Sequence, residues 1–172
     1  MHKPQKNAFF FFCLFYHLPG STFRESKIMK IAIASDHGGF ELKQELIAYY
    51  AEKGTVLQDL GTYNSDSCDY PDAAKKMAET ILLKKADMGI LICGTGIGIS
   101  IAANRYHGIR AALLYDDFVA EMAKKHNNAN VIVFGGRTMK TQDVIRRIDI
   151  FNQNEFEGGR HIRRIEKIEE GK

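Results

Sequence analysis

Residues 92–105 read ICGTGIGISIAANR, so that a cysteine ending an apolar run is followed by three alternating glycines. The spacing of Gly94, Gly96 and Gly98 lacks the sixth-place glycine of the dinucleotide fingerprint and the terminal lysine of the ATP phosphate loop. Glycines between a strand and a helix nevertheless allow several backbone N–H groups to converge on an anion at the helix N-terminus. The stretch therefore indicates an anion-binding loop or, more simply, a tight strand-to-helix turn without a ligand.

Three further positions carry side chains that can move protons near neutral pH. Cys93, beside the converging amides, is either a buried apolar filler or a thiolate stabilised by the loop. Asp36 and His37 in SDHGGF can bind sugar hydroxyls or transfer protons, although a capping aspartate with an incidental histidine is the simpler interpretation. His126 and Asn127 in KKHNNANV close a predicted helix, where a protonated imidazole is stabilised and where asparagine also suits a plain C-cap.

Three arginines are candidates for binding an anion. Arg137 follows a glycine pair, whereas Arg160 and Arg164 stand four residues apart in GGRHIRR and share one face if that segment is helical. The alternative is a solvated charged helix in which the arginines pair with the glutamates that follow. The sequence contains no HExxH motif, Cys/His quartet or regular row of carboxylates, so no metal cluster is evident. Together the candidates point to acid–base chemistry on a small phosphorylated substrate.

Short apolar runs alternate with amphipathic segments after Met29, a pattern that predicts a parallel sheet with helices on both faces. The run MGILIC is continuously hydrophobic, as expected for a strand covered on both sides. We predict a three-layer, doubly wound α/β fold with a five-stranded parallel sheet, Rossmann-like or flavodoxin-like, followed by a charged C-terminal helix. The predicted strands are 30–35, 55–61, 88–93, 109–115 and 130–136, and the predicted helices are 40–53, from Pro71 onward with Asp69 as a candidate cap, from about Gly98, 116–127 and 141–153.

Ligands of such sheets bind outside the carboxyl ends of the strands. Asp36 and His37 follow the first strand, residues 93–98 the third and residues 135–137 the fifth, so all three segments are predicted to face one edge. We expect His126, Asn127 and the two tail arginines to converge on the same edge and complete one site.

The length of 172 residues suits a single domain that begins at Met29 and is preceded by an extension of different character, residues 1–28. The extension contains NAFFFFCLFYHLPGS, whose apolar run is too short to span a bilayer but is similar to the apolar part of a targeting peptide. We favour the interpretation that the extension is dispensable, because MKIAIASDHGGF has the character of a natural protein start.

The net charge of +3 arises within the extension, because residues 29–172 contain 20 basic and 20 acidic side chains. A neutral body gives no indication of binding to nucleic acid or to a membrane. The three cysteines, Cys13, Cys68 and Cys93, show no CxxC pairing and are few for a disulfide scaffold. This usage predicts a reducing, cytoplasmic location.

The chain from Met29 to about Glu169 resembles the ribose-5-phosphate isomerase B family, with matching blocks in the family's order over about five-sixths of the sequence. The blocks are SDHGGFELK, DYP, GILICGTGIGISIAANR, IRAAL, KHNNANV, FGGR and EGGRHIRR. The resemblance implies interconversion of D-ribose 5-phosphate and D-ribulose 5-phosphate, in the pentose phosphate pathway, without a metal or other cofactor. It also implies a homodimer or tetramer with the active site at the subunit interface.

The resemblance further implies a role for each site residue. Cys93 is the base that moves a proton between C2 and C1 through a cis-enediolate, Thr95 can add a hydroxyl to the oxyanion-binding amides, and His126 opens the sugar ring. A related branch carries a glutamate base where this chain has Ile99, which indicates the cysteine-base branch. The implied binding residues are Asp36, His37, Tyr70, Gly94, Gly96, Ile97, Gly98 and Asn127 for the sugar, and Arg137, Arg160 and Arg164 for the phosphate end.

Three alternative functions remain open at this point. The same chemistry serves galactose 6-phosphate or allose 6-phosphate, and pocket depth, which a sequence does not measure, separates these sugars from a pentose. A non-catalytic sugar-phosphate sensor is disfavoured, because binding alone requires neither Cys93 nor His126. A flavodoxin-like nucleotide-binding module is disfavoured by the incomplete glycine fingerprints.

Overall fold

The computed structural model describes residues 29–171, and the predicted N-terminal extension lies outside the described residues. Within them, five parallel strands form one sheet in the order β2–β1–β3–β5–β4. The predicted doubly wound α/β fold is confirmed, although the outer strands β2 and β4, which each pair with one neighbour, are only three residues long. The strands are β1 Ile31–Ser35, β2 Leu57–Asp59, β3 Met88–Cys93, β4 Ala111–Leu113 and β5 Val131–Gly135.

The helices begin close to the positions that the sequence predicts. Pro71 lies in the first turn of the second helix and Asp69 occupies its N-cap position, although the Asp69 side chain makes no capping hydrogen bond. Asp116 does cap the fourth helix, because its carboxylate accepts the N–H of Val119 at 2.7 Å. The helices are α1 Phe40–Glu52, α2 Tyr70–Leu82, α3 Ile97–Ala103, α4 Asp117–Lys125, α5 Thr141–Gln153 and α6 Arg160–Glu170.

The central strands are buried on both faces, because helices cover both sides of the sheet. Alternate residues of β3 enter different apolar layers. Ile90 belongs to the layer that contains Leu46 of α1 and Ile148 of α5, whereas Leu91 belongs to the layer of Met77 and Ile99. Burying each such side chain contributes about 1.5–3 kcal/mol. This two-sided packing explains the continuous hydrophobic run of β3 and fixes the carboxyl ends of β1, β3 and β5 side by side.

The amino edge of the sheet is covered by the C-terminal part of the chain. A helix that connects parallel strands runs back across the sheet, so α4 ends at the amino edge. There the N–H of Glu157 donates to the carbonyl of Lys125 at 3.0 Å, and Glu169 accepts the N–H of Gly108 at 2.9 Å. Helix α6 therefore extends along this edge from the end of α4 towards the start of β4. In residues 29–171, no helix combines the length and apolar character that crossing a membrane requires.

Candidate active site

Cys93 ends β3 and begins the glycine-rich turn that leads into α3. It is 4% exposed, and its Sγ accepts a hydrogen bond of 3.1 Å from the backbone N–H of Gly96. Gly96 has φ +81°, and a Cβ atom there would stand 2.5 Å from Leu113 and 3.1 Å from the Phe134 carbonyl group. Only glycine fits both the left-handed conformation and the available space, so the turn holds a backbone N–H group against the sulfur.

The loop after β5 is hydrogen-bonded to this turn. The N–H of Gly136 donates to the carbonyl of Cys93 at 2.8 Å, and the N–H of Arg137 donates to the carbonyl of Gly94 at 3.0 Å. A Cβ atom on Gly94 would stand 3.5 Å from the Arg137 side chain, so the arginine lies over the turn. The prediction that the third and fifth strands deliver their loops to one edge is therefore confirmed.

Asp36 and His37 follow β1 at the same edge. The N–H of Asp36 donates to the carbonyl of Ile92 at 3.1 Å, which joins this loop to β3. The buried Asp36 carboxylate accepts the N–H of Gly39 at 3.1 Å, so the capping role that the sequence left open is real. The His37 Nδ1 atom lies 3.3 Å from both the backbone N and the carbonyl O of Cys68. The imidazole is thereby anchored to the loop before α2 and stays half-buried.

The start of α3 is bordered by two further hydroxyl groups. Tyr70 begins α2, and a Cβ atom on Gly98 would stand 2.8 Å from its ring, so the ring lies on the first turn of α3. Thr95 is exposed, and its Oγ1 accepts the N–H of Ile97 at 3.4 Å. A phenol, a hydroxyl and the amides of the turn therefore stand at the strand end that carries Cys93.

A cavity of about 240 Å³ opens between the loops that follow β1 and β5, with His37 and Arg137 in its lining. Glu41 also lines the cavity, beside the imidazole and the guanidinium group that can bind an anionic group such as a phosphate. The residues at this end of the strands form one group, which we call the carboxyl-edge cluster: Asp36, His37, Tyr70, residues 93–98 and Arg137.

His126 and Asn127 lie elsewhere, so the expectation that all candidate residues converge on one edge of a single chain is wrong. They follow the last turn of α4 and precede the amino end of β5. Cys93 pairs with Gly135 at the opposite end of that strand. The four residue steps from Val131 to Gly135 span about 13 Å, which is longer than a side chain. The imidazole of His126 and the sulfur of Cys93 therefore cannot meet within one chain.

Arg160 and Arg164 join His126 at the amino edge, where the predicted tail helix is confirmed as α6 and both arginines are exposed. The His126 ring stacks on His161 with 4.2 Å between ring centroids and 9° between ring planes. Burial lowers the pKa of His161, and the charges of His126 and the two arginines lower it further. We call this group the amino-edge cluster: His126, Asn127, Glu157, Arg160, His161 and Arg164.

Sequence reasoning missed three residues of this region, Arg110, Glu157 and His161. His161 stands between two arginines in GGRHIRR, and that position was the available signal. The Arg110 guanidinium donates to the carbonyls of Asn127 and Asn128 at 3.1 and 2.9 Å, which fixes the loop beside His126. No local pattern indicates these contacts, because the partners are 17 and 18 residues apart.

The carboxyl-edge cluster identifies the class of protein. A thiol and a glycine-rich turn at the strand ends of a doubly wound sheet are typical of an α/β enzyme that binds a small ligand at this edge. The sequence profile of the Ribose/Galactose Isomerase family matches residues 31–168, and the chain belongs to that family. The protein is therefore an isomerase that acts on sugar phosphates.

Individual relatives agree with this assignment over most of their length. Ribose-5-phosphate isomerase B of Escherichia coli (strain K12) is 42% identical over 139 residues, which cover 81% of this chain and 93% of the relative. A crystal structure of a ribose 5-phosphate isomerase from Thermotoga maritima is 52% identical with a TM-score of 0.81, covering 83% of this chain and 99% of that one. The Mycoplasma genitalium ribose-5-phosphate isomerase B, solved with bound ribulose-5-phosphate, is 41% identical with a TM-score of 0.77, covering 83% and 95%.

Proposed function

We propose that the protein interconverts D-ribose 5-phosphate and D-ribulose 5-phosphate by proton transfer through a cis-enediolate, without a metal ion. The observation that carries this proposal is the 3.1 Å contact between the Gly96 N–H and the Cys93 Sγ. It places Cys93, the one ionisable side chain of residues 93–99, beside the backbone of a turn in which Gly94, Gly96 and Gly98 have no side chains. Ile99, at the position of the glutamate base in the related branch, is fully buried and apolar, so it supplies no alternative base.

The chemistry requires a base and a site for negative charge. An aldose–ketose isomerase removes a weakly acidic proton from C2 of the open-chain aldose, and the electrons of that bond form an enediolate. The Cys93 thiolate takes this proton and returns it to C1, because one base close to both carbons serves both steps. The hydroxyl proton of O2 passes to O1, which completes the conversion of aldose to ketose. Amides of the turn donate to the oxygen on which charge develops, and the Thr95 hydroxyl adds a further donor.

The remaining residues bind the substrate and open its ring. His126 transfers the proton that converts the cyclic sugar into the reactive open-chain form. Asp36 and His37 bind sugar hydroxyls. Arg137, Arg160 and Arg164 hold the phosphate with charge-assisted hydrogen bonds. Ring opening and proton transfer then act in sequence on one bound molecule.

We propose that a second copy of the chain completes this site, because the two clusters lie at opposite edges of the sheet in one chain. Ile97 and Ile101 of α3, together with Tyr115 and Phe118 after β4, are each more than half exposed. Large apolar side chains that stay exposed favour burial against another protein surface. In a homodimer, or a dimer of such dimers, His126 of the partner subunit would stand opposite Cys93.

The substrate is inferred from the relatives, whose names include ribose 5-phosphate, and from ribulose-5-phosphate in the Mycoplasma genitalium structure. The description of the family also names galactose, so a hexose 6-phosphate is the second candidate. Cys68 and Cys93 are free thiols, and their use here supports action in a reducing compartment such as the cytoplasm.

The test is turnover of ribose 5-phosphate beside allose 6-phosphate and galactose 6-phosphate, with the chelator EDTA present throughout. We expect the highest kcat/KM for ribose 5-phosphate and no loss of activity in the chelator. Deuterium from D₂O would appear at C1 of ribulose 5-phosphate to the extent that the Cys93 thiol proton exchanges with solvent before it returns, and such incorporation would report the enediolate. A higher kcat/KM for either hexose phosphate would assign the substrate to the hexose series, and binding of all three without turnover would support a sensor.

A further inference from the structure

The stacked imidazoles of the amino-edge cluster join two distant parts of the chain. His126 is the C-cap residue of α4, and His161 lies in the first turn of α6. Their ring centroids are 4.2 Å apart and their planes differ by 9°, so each ring covers a face of the other. A stack of this kind restricts the plane of each ring, because tilting one ring drives its edge into the other.

His126 is the ring that depends on this contact. Its side chain is 35% exposed, and the Glu157 Oε2 stands 3.8 Å from its Nε2, beyond the roughly 3.2 Å limit of a hydrogen bond. In residues 29–171 the His126 imidazole makes no hydrogen bond, so the stack on His161 is the contact that sets its plane. An acid–base group must keep its nitrogen directed at the proton that it transfers, which an unsupported ring on the surface does not do.

His161 is itself held firmly enough to act as the support. It is 5% exposed, and its N–H donates to the carbonyl of Gly158 at 3.0 Å. The N–H of Glu157 donates to the carbonyl of Lys125, the residue before His126, also at 3.0 Å. The start of α6 and the end of α4 are therefore joined through the backbone as well as through the two rings.

The charge of the pair also suits a supporting role. Burial lowers the pKa of His161 and nearby cationic groups lower it further, whereas Glu157 acts in the opposite direction. The ring of His161 is therefore neutral near neutral pH. Two cationic rings so close together would repel each other, but a neutral ring stacks on an imidazole both before and after it takes up a proton.

We propose that His161 is a positioning residue for His126, and that its stacked ring holds the His126 imidazole in the plane in which it exchanges a proton with the sugar. His161 itself exchanges no proton with the substrate. Both rings belong to one chain, so they enter a site shared with a second copy as one unit. This proposal rests on the proposed function, because it assumes that His126 opens the sugar ring.

Two replacements of His161 separate the stack from simple packing. His161→Phe keeps a flat ring, whereas His161→Leu fills the buried space without one. We expect kcat for ribose 5-phosphate to fall about 10- to 100-fold in His161→Leu, because misplacing a catalytic group costs up to about 10²-fold, and to stay near the wild-type value in His161→Phe. KM should change little in both. Ile165→Ala is the matched control, because it removes a half-buried side chain of α6, keeps both rings and should retain kcat.

Two further measurements distinguish positioning from a structural role. The double variant His126→Asn/His161→Leu should be no slower than His126→Asn, since a residue that acts only through His126 adds nothing once that ring is gone. Proton NMR measures the stack independently of activity. The ring current of the neighbouring ring should shift the Cε1 proton of His126 upfield in the wild type and in His161→Phe, and the shift should be lost in His161→Leu. Thermal melts establish that each variant is folded.

Any of five results would overturn the positioning role. Four are kinetic: full kcat in His161→Leu, an equal loss in His161→Phe, an equal loss in Ile165→Ala, or a further loss in the double variant. The fifth is an unchanged position of the His126 proton in His161→Leu. With normal wild-type turnover, each of these rejects the positioning role alone. A wild type that turns over no sugar phosphate would reject the proposed function, and the positioning role with it.

Discussion

The backbone N–H of Gly96 donates to the Sγ of Cys93 at 3.1 Å, across a turn that holds Gly96 at φ +81°. An N–H group directed at sulfur suits a thiolate acceptor, because hydrogen bonds to a charged acceptor are the stronger ones. The same turn is tied to β5 through Gly136 and Arg137. The proposed base, the amides proposed to bind the oxyanion and Arg137, a proposed phosphate ligand, are thus parts of a single hydrogen-bonded unit.

Replacing the proposed base should abolish most catalysis. Cys93→Ala removes the group that transfers the proton, so we expect kcat to fall by about 10²- to 10⁴-fold while KM changes little. Steady-state kinetics with ribose 5-phosphate measure both parameters. Cys68→Ala is the control, since Cys68 is the other free thiol among the described residues and should keep full activity. Iodoacetamide should inactivate the wild type, with substrate protecting it, and near-normal kcat in Cys93→Ala would remove this residue from the mechanism.

Adding a methyl group to the turn should separate strain from steric conflict. Gly96→Ala forces a left-handed residue, which costs about 1–3 kcal/mol, and also sets its Cβ 2.5 Å from Leu113. Gly54 has φ +76° with nothing within 4 Å of its Cβ position, so Gly54→Ala is the matched control for strain alone. Urea unfolding should show a larger loss for Gly96→Ala, accompanied by loss of activity. Equal stability losses and full activity in both variants would show that the turn tolerates a side chain.

Mixing two inactive variants should restore activity if each site is built from two copies. A dimer of one Cys93→Ala chain and one His126→Asn chain contains one intact site and one doubly damaged site. Random reassembly of equal amounts should therefore recover about a quarter of the wild-type sites. The mixture of Cys93→Ala with the double variant Cys93→Ala/His126→Asn is the control, because neither chain supplies the Cys93 thiol and no intact site forms. Recovery in the control, or none in the first mixture, would contradict the two-chain site.

The tail arginines should affect substrate binding rather than turnover. Arg160→Ala or Arg164→Ala removes a charge-assisted contact to the phosphate worth about 1.5–3 kcal/mol, so KM should rise about 10- to 150-fold. The phosphate does not react, so kcat should change little. Arg137→Ala should likewise raise KM and leave kcat nearly unchanged. Arg163→Ala is the control from the exposed part of the same helix, and unphosphorylated ribose should be handled no worse by any variant. An unchanged KM in all three variants would support the alternative that these arginines lie on a solvated surface and bind no phosphate.

The lowered pKa of His161 should make the folded protein sensitive to acid. Its ordinary pKa is 6.5, and burial together with the charges of His126, Arg160 and Arg164 lowers it in the folded state. As the pH falls below 6.5, the unfolded chain binds a proton that the folded chain resists, so the free energy of unfolding decreases. Well above that pH, where the ring is neutral in both states, this residue contributes no pH dependence. Urea unfolding at about pH 7.5 and about pH 5.5 should therefore show a smaller acid loss for His161→Asn than for the wild type. Equal losses would contradict the shift.

The local sequence determined the strands and one half of the site. The run MGILIC predicted a strand covered on both faces, and the loops after β1, β3 and β5 were predicted at one edge because parallel strands end together. The regular geometry of parallel strands and their connecting helices could also have predicted that His126 lies at the amino edge. A helix between parallel strands ends at the amino edge, and Lys125 ends α4 there.

The tertiary structure alone decided how the other half is assembled. His161 stacks on His126, and Glu157 lies beside both, although 35 residues separate the two histidines. These contacts form because α6 is fastened to the amino edge, where Glu157 meets Lys125 and Glu169 meets Gly108. Hydrophobic periodicity describes one element and its buried face, and it carries no information about which distant segment packs across the end of a sheet. For that physical reason the sequence identified the candidate groups, while only the packed chain revealed which distant residues meet His126 at the amino edge.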